Sequence, residues 1–302
     1  MAQGQTISPC HGRLSRRGTR QAPGSLRCPG GPACSMGQGL GVALTDAVGV
    51  NEVLFPAPPR TYEADDANLV WFETPAGDAQ APAFLIEPED HSGRCLLYFH
   101  ANACDVGTAF PEETILCRRL RSYVLAPEYP GYGLLDTFEP SAAGINSVAY
   151  GAYRYAVSEL RTKPSDLIIF GRSIGTGPAC LLAKRLHDEG VAVRALILFA
   201  PFLSIARLAA KLVPVAGELV PNWWDNEECL RALHDVPLLV IHGREDNVVP
   251  CSHGRELFET APCKLKCGLF PEELTHNEWD NREVWRAIRR FVDIYVDSQL
   301  PR

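Results

Sequence analysis

The chain has 302 residues, 46% apolar and 22% charged, which suits one globular domain with a full-sized core plus a small extension. Its formal net charge of −7 implies no basic surface and argues against nucleic acid as a partner. No apolar run reaches the roughly eighteen residues that a membrane-spanning helix needs.

Residues 1–35 carry five arginines, no acid and many Gly, Pro and Ser. Such a composition buries too little apolar surface to fold, so residues 1–50 read as a disordered basic leader and 51–298 as the folded domain. Three readings of the leader stand side by side. It is a targeting peptide, which would be Arg- and Ser-rich and acid-poor. It is a membrane-contacting tail acylated at Cys10, Cys28 or Cys34. Or it is spurious, and the chain starts at Met36 with a myristoylation-like Gly37. Of the eleven cysteines, Cys95, Cys117 and Cys180 fall inside apolar stretches, where a free thiol behaves as a small hydrophobe. No apolar signal-peptide core precedes them. A reducing, cytoplasmic setting is the simpler reading, with organelle targeting by the leader left open.

Phe55-Pro56-Ala57-Pro58-Pro59 opens the domain as an extended segment. Strands are predicted near 68–74, 82–87, 94–100, 123–127, 166–171, 194–199, 236–242 and 264–270. Helices are predicted near 108–120, 142–162, 174–189, 252–260 and 281–297. Short apolar strands alternating with helices imply a mostly parallel, eight-stranded sheet with helices on both faces. The first strand pair, turning near Gly77-Asp78, is its expected antiparallel edge. Residues 201–235 form the one sizeable insertion, too short for more than a minimal lid. Its run Leu203 to Val213 has helical periodicity and leads to Trp223-Trp224. It reads equally as an ordinary covering helix or as an apolar wall for an acyl chain or a membrane-touching edge.

The chemistry is concentrated in Gly171-Arg172-Ser173-Ile174-Gly175. An apolar run, Asp166 to Phe170, precedes it and a helical pattern follows, which is the strand–turn–helix context of a nucleophile elbow. The turn must hold Ser173 in strained backbone geometry, and a Cβ at Gly171 or Gly175 would collide with the neighbouring strand and helix. The helix starting at the serine aims free N–H groups at the site. A serine hydroxyl needs a base, itself oriented by an acid, and in this arrangement the chain order is Ser, acid, His. Asp246 lies on the loop after the strand ending His242-Gly243, and the HG-x-x-D spacing favours it over Glu245. His276 sits on the last strand-to-helix loop. Of the other histidines, His100 precedes the serine, the wrong order for the base, and His242 and His253 read as structural. Two backbone donors are needed for the developing oxyanion. One is expected at Ile174, the other at Asn102 or Ala103 on the loop after the strand ending at His100. Cys263 and Cys267 lack a second ligand pair, so no metal site is expected. No phosphate loop or dinucleotide motif occurs, and no cofactor is expected.

From about residue 51 to 296 the chain resembles the eukaryotic α/β-hydrolase-domain family seventeen, the depalmitoylase-like serine hydrolases. The matching pieces are Phe55 to Pro59, His100 to Gly107, Glu128-Tyr129-Pro130-Gly131-Tyr132-Gly133, Gly171 to Gly177, His242 to Asp246 and Thr275-His276-Asn277. The family typically has Gly, Asp and Gly where this chain has Ala101, Glu128 and Thr275. The resemblance implies an α/β-hydrolase fold with Ser173, Asp246 and His276 as the triad. It also implies hydrolysis of acyl thioesters, as in S-depalmitoylation by a palmitoyl-protein thioesterase. The substrate would be an acylated protein or a small acyl ester or thioester, met through peripheral contact with a membrane. A general carboxylesterase or lipid hydrolase shares the same triad and stays open. A non-catalytic hydrolase-fold binding protein is the alternative of another class.

Overall fold

Strands that must be apolar along their whole length are those covered on both faces, and the centre of this sheet is built from them. The computed structural model describes residues 54–75, 80–90, 92–212, 222–278 and 280–296. Its strands are β1 (Leu69–Glu73), β2 (Gln80–Ile86), β3 (Cys95–Phe99), β4 (Tyr123–Pro127), β5 (Leu167–Arg172), β6 (Ala195–Phe199), β7 (Leu238–Ile241) and β8 (Lys266–Leu269). Every residue of β3, β5, β6 and β7 is buried. β1 and β8, at the two edges, are only partly covered. The strands form one sheet in the order β1-β2-β4-β3-β5-β6-β7-β8. The β1·β2 and β2·β4 pairs are antiparallel and the remaining five pairs parallel. Each strand lies within two residues of its predicted bounds. The turn near Gly77-Asp78 and the 1–50 leader fall outside the described residues.

The helices are α1 (Val106–Leu120), α2 (Ala142–Ser158), α3 (Thr176–Asp188), α4 (Ile205–Leu212), α5 (Asn226–Ala232), α6 (Cys251–Thr260) and α7 (Arg282–Arg290). A π-helical turn, Phe291–Val296, continues α7. Because side chains alternate along a strand, the sheet divides the core in two. Leu97, Phe99, Ile169, Leu196 and Val240 face α2 to α6. Leu96, Tyr98, Ile168, Ile197 and Ile241 face α1 and α7. The protein is thus an α/β sandwich with helices on both faces of its sheet.

Three expectations change in detail. The helix after the serine does not start at Ser173: a 3₁₀ turn, Ser173–Gly175, comes first and α3 begins at Thr176. α5 has no counterpart in the sequence reading. Its seven residues are too short to display a period, and it is held by its cap: the Asp225 side chain accepts from the Glu228 N–H, with Glu227 and Glu228 in the first turn. In the 201–235 insertion, Trp224 is no membrane-touching edge. Its ring is buried, its Nε1–H donates to Asn146 Oδ1 at 2.9 Å, and Phe55 packs edge-on against it with centroids 5.9 Å apart. Residues 213–221 lie outside the described residues.

Candidate active site

Ser173 stands where β5 turns into α3, with φ +52°, a left-handed conformation costly for any residue with a Cβ. The turn is tight enough to exclude side chains on either side. A Cβ on Gly171 would sit 2.8 Å from the Ala179 Cβ and 2.7 Å from Thr176 Cα, and one on Gly175 would run into the Phe99 and His100 carbonyls. The elbow is therefore pressed against the end of β3, beside the loop that carries Asn102 and Ala103.

Asp246 and His276 come to this point on loops after β7 and β8. Ser173 Oγ lies 2.9 Å from His276 Nε2, and His276 Nδ1 lies 2.7 Å from Asp246 Oδ2. The carboxylate can only accept, so Nδ1 carries the proton and Nε2 is left to accept from the serine hydroxyl. All three side chains are buried. Burial of Asp246 would by itself raise its pKa. Donors from His242 and His276 and the Val249 N–H outweigh it and hold the carboxyl well below the usual range, so it stays ionised. Its Oδ1 accepts from the Val248 and Val249 N–H groups at 2.9 and 2.8 Å. The rival carboxylate, Glu245, is exposed.

The 101–103 loop is fixed by its neighbours. Asn102 Nδ2 donates to the Leu54 carbonyl at 2.8 Å and its Oδ1 accepts from Tyr132 Oη at 2.7 Å. Ala103 has φ +54°. The side chain of Asn102 is thereby committed to structure, leaving the backbone of the loop as its contribution to the site. His100 is buried with its ring stacked on Tyr129, centroids 3.9 Å apart. Two of the departures from the resembled family have physical counterparts. Glu128 is buried and reaches Tyr62 Oη at 3.0 Å and the Val106 N–H at 3.2 Å. Thr275 pins the histidine loop through its N–H and Oγ1, both 3.1 Å from Glu278 Oε2.

Two groups escaped the sequence reading. Arg172, the variable residue before the serine, is buried, pairs with Glu112 of α1 at 2.8 Å and reaches the His276 and Asn277 carbonyls at 3.5 and 3.4 Å. It ties the strand that leads into Ser173 to the histidine loop across 104 residues of sequence. Nothing in the local pattern marks Glu112, which looks like one more helical carboxylate. The second is His242, which lies against Asp246. Among the described residues, no group of three His, Cys, Asp or Glu is arranged to hold a metal ion, and no helix is long and apolar enough to cross a membrane.

No family model matches the chain. Among solved structures it is similar to the esterase Pf2001 of Pyrococcus furiosus, with a TM-score of 0.60 at 14% identity over 78% of this chain and 96% of that one. It is also similar to a cold-adapted esterase from an Arctic intertidal metagenomic library, with a TM-score of 0.54 at 18% identity over 80% of this chain and 100% of that one. These likenesses establish the fold. With its elbow and its eight-stranded sheet, the protein has the α/β-hydrolase fold.

Curated relatives narrow the class. The chain is 29% identical over 217 residues to the uncharacterized protein YfhR of Escherichia coli K12, covering 71% of this chain and 74% of that one. It is 30% identical over 200 residues to the protein bem46 of Schizosaccharomyces pombe, covering 64% and 65%. It is 29% identical over 238 residues to the human alpha/beta hydrolase domain-containing protein 17C, covering 78% and 68%. The chain is thus similar over most of its length to α/β-hydrolase-domain 17 proteins.

Proposed function

We propose that the protein is a serine hydrolase that cleaves acyl thioesters, with S-acylated, palmitoyl-type cysteine as the substrate. The observation that carries this reading is the unbroken chain Ser173 Oγ, His276 Nε2, His276 Nδ1, Asp246 Oδ2, with contacts of 2.9 and 2.7 Å at the tip of a strained elbow. In the first step the Ser173 oxygen bonds to the thioester carbonyl carbon while its proton passes to His276 Nε2. Asp246 stabilises the resulting imidazolium. The negative oxygen is met by the backbone N–H of Ile174 and by that of Asn102 or Ala103. The C–S bond then breaks, and the leaving thiolate takes the proton from Nε2. Water attacks the Ser173 ester, its proton going to His276 and from there back to Ser173 as the fatty acid leaves. The resemblance to the seventeen family supports the thioester half of the proposal.

A second reading, a simple carboxylesterase, draws on the solved structures described as esterases. A fluorophosphonate probe and a substrate panel separate the possibilities. The wild type should be labelled and Ser173→Ala should not, with turnover reduced by about six orders of magnitude, as when a nucleophile acting with its base is removed. Equal labelling of the mutant would move the chemistry to another residue, and an unlabelled wild type would favour a binding protein. Palmitoyl-cysteine peptides should be cleaved with a higher kcat/KM than nitrophenyl esters of any chain length. The reverse order would make the protein a carboxylesterase.

A further inference from the structure

Two histidines, not one, meet the carboxylate of Asp246. The second is His242, the residue that follows β7 and opens the loop to Asp246. It is fully buried, and its Nε2 lies 2.9 Å from the Val249 carbonyl and 3.3 Å from Asp246 Oδ2. Both neighbours are oxygens without a proton to give, so Nε2 must carry the hydrogen. Its Nδ1 has no hydrogen-bond partner among the described residues. It faces the backbone of α6 so closely that a Cβ on Gly254 would strike it. A hydrogen on Nδ1 would find no acceptor there, so the ring hydrogen that matters to the site is the one on Nε2.

The ring closes a small circuit. Val249 gives its N–H to Asp246 Oδ1 at 2.8 Å and receives the His242 N–H on its carbonyl. The same Nε2 lies 3.3 Å from Oδ2, the oxygen that faces His276, close enough for its partial positive charge to favour the carboxylate there. The turn from 246 to 249 is thus clamped from inside the fold, and Oδ2 is kept from rotating away from the catalytic imidazole.

We propose that His242 is a positioning residue for the acid: it holds the Asp246 carboxylate in the one orientation that serves His276. The proposal rests on the triad reading given above. It also assigns a reason to the first residue of the HG-x-x-D spacing. A ring at that position, and not merely a small buried residue, reaches the loop four residues later.

The test is kinetic, on the full chain, with a soluble nitrophenyl ester and a melting curve for each variant. His242→Gln keeps an amide N–H near the Nε2 position, whereas His242→Asn places its amide near Nδ1, one bond short. The Gln variant should stay within about 3-fold of the wild-type kcat, and the Asn variant should fall by about 10- to 100-fold with KM little changed, as when an outer partner of a working side chain is lost. Equal kcat values for the two would overturn the proposal. A double-mutant cycle gives the second readout. If His242 acts through the carboxylate, His242→Asn in an Asp246→Ala background should cost less than about 2-fold in kcat. Multiplicative losses would sink the proposal and leave the triad reading intact. An unimpaired Asp246→Ala single variant would sink the triad reading, and this proposal with it.

Discussion

Two buried carboxylates sit at opposite extremes. Asp246 has four donors around it and is held ionised, whereas the oxygens of Glu113, on α1, have no hydrogen-bond partner among the described residues and feel the charges of Glu112, Glu128 and Asp105. For Asp246 the expected outcome of the Asn substitution is an intact fold with kcat lowered by about four orders of magnitude, since an amide cannot hold the imidazole in its working tautomer. Glu245→Gln, exposed on the same loop, should stay within about 2-fold. Steady-state kinetics of the pair decides the acid. Because the folded Asp246 carboxyl titrates below its unfolded value of about 3.9, the stability it lends is present above that pH and is lost as the pH falls through the folded pKa. The stability gap between wild type and Asp246→Asn should therefore close below about pH 4.

Glu113 carries the opposite sign. Burial first, then its acidic neighbours, push its pKa well above the ordinary value, so the folded state keeps a proton that the unfolded chain loses above about pH 4.3. Its contribution is fully present below that pH and is lost as the pH rises toward the folded pKa. Wild type should therefore lose stability relative to Glu113→Gln by up to about 1.4 kcal/mol per pH unit across that window. Denaturant melts at pH 4 and pH 7 measure it, and a gap that does not widen with pH would show that Glu113 has found a partner.

At the level of elements, the elbow works because β5 and α3 approach one another and β3 with nothing in between. Gly175→Ala would drive a methyl group into the backbone carbonyls of Phe99 and His100, at the end of a central strand and just past it, where backbone cannot step aside. The expected loss is about 2–3 kcal/mol of stability, together with loss of fluorophosphonate labelling as the elbow opens. Gly190, just beyond α3, is the control. Its φ is +74° but no atom lies within 4 Å of an added Cβ, so Gly190→Ala should cost about 1–2 kcal/mol from backbone strain alone and leave labelling unchanged. Thermal melts with probe labelling of both variants compare close approach against conformation. The same logic places Trp224. Its ring fills the space over Gly177 of α3, which makes the insertion between β6 and β7 a brace for the nucleophile's helix.

For the whole molecule, a hydrolase acting on palmitoylated protein has to work at a bilayer, and no described helix can cross one. We propose, of the three readings of the leader, the membrane-contacting one: its five arginines and acylation at Cys10, Cys28 or Cys34 would supply the two signals that stable attachment requires. On that proposal, deleting residues 1–35 moves the protein from membranes to cytosol and leaves hydrolysis of a soluble thioester unchanged. Fractionation beside a soluble-substrate assay measures both. Retention on membranes would place the anchor outside residues 1–35, and loss of soluble activity would make the leader part of the fold.

The strands and the order of the site were legible in the chain because their causes are local. A strand covered on both faces has to be apolar throughout, and Leu167 to Phe170 or Leu238 to Ile241 announce that without knowledge of their neighbours. The elbow announces itself for the same reason: two glycines around a serine are needed wherever a strand turns that sharply into a helix. The tertiary structure alone decided what depends on partners remote in sequence. Arg172 meets Glu112 across 60 residues, and Trp224 meets Asn146 across 78. His242 read as an ordinary strand-end histidine because its partner, although only four residues away, is brought against it by the fold of the 246–249 turn. Residue type and spacing thus sufficed where each residue answers to its own backbone. They fell short where a buried polar group answers to whichever donor or acceptor the packing brings within 3 Å, because that choice is made by the sheet and helices as assembled.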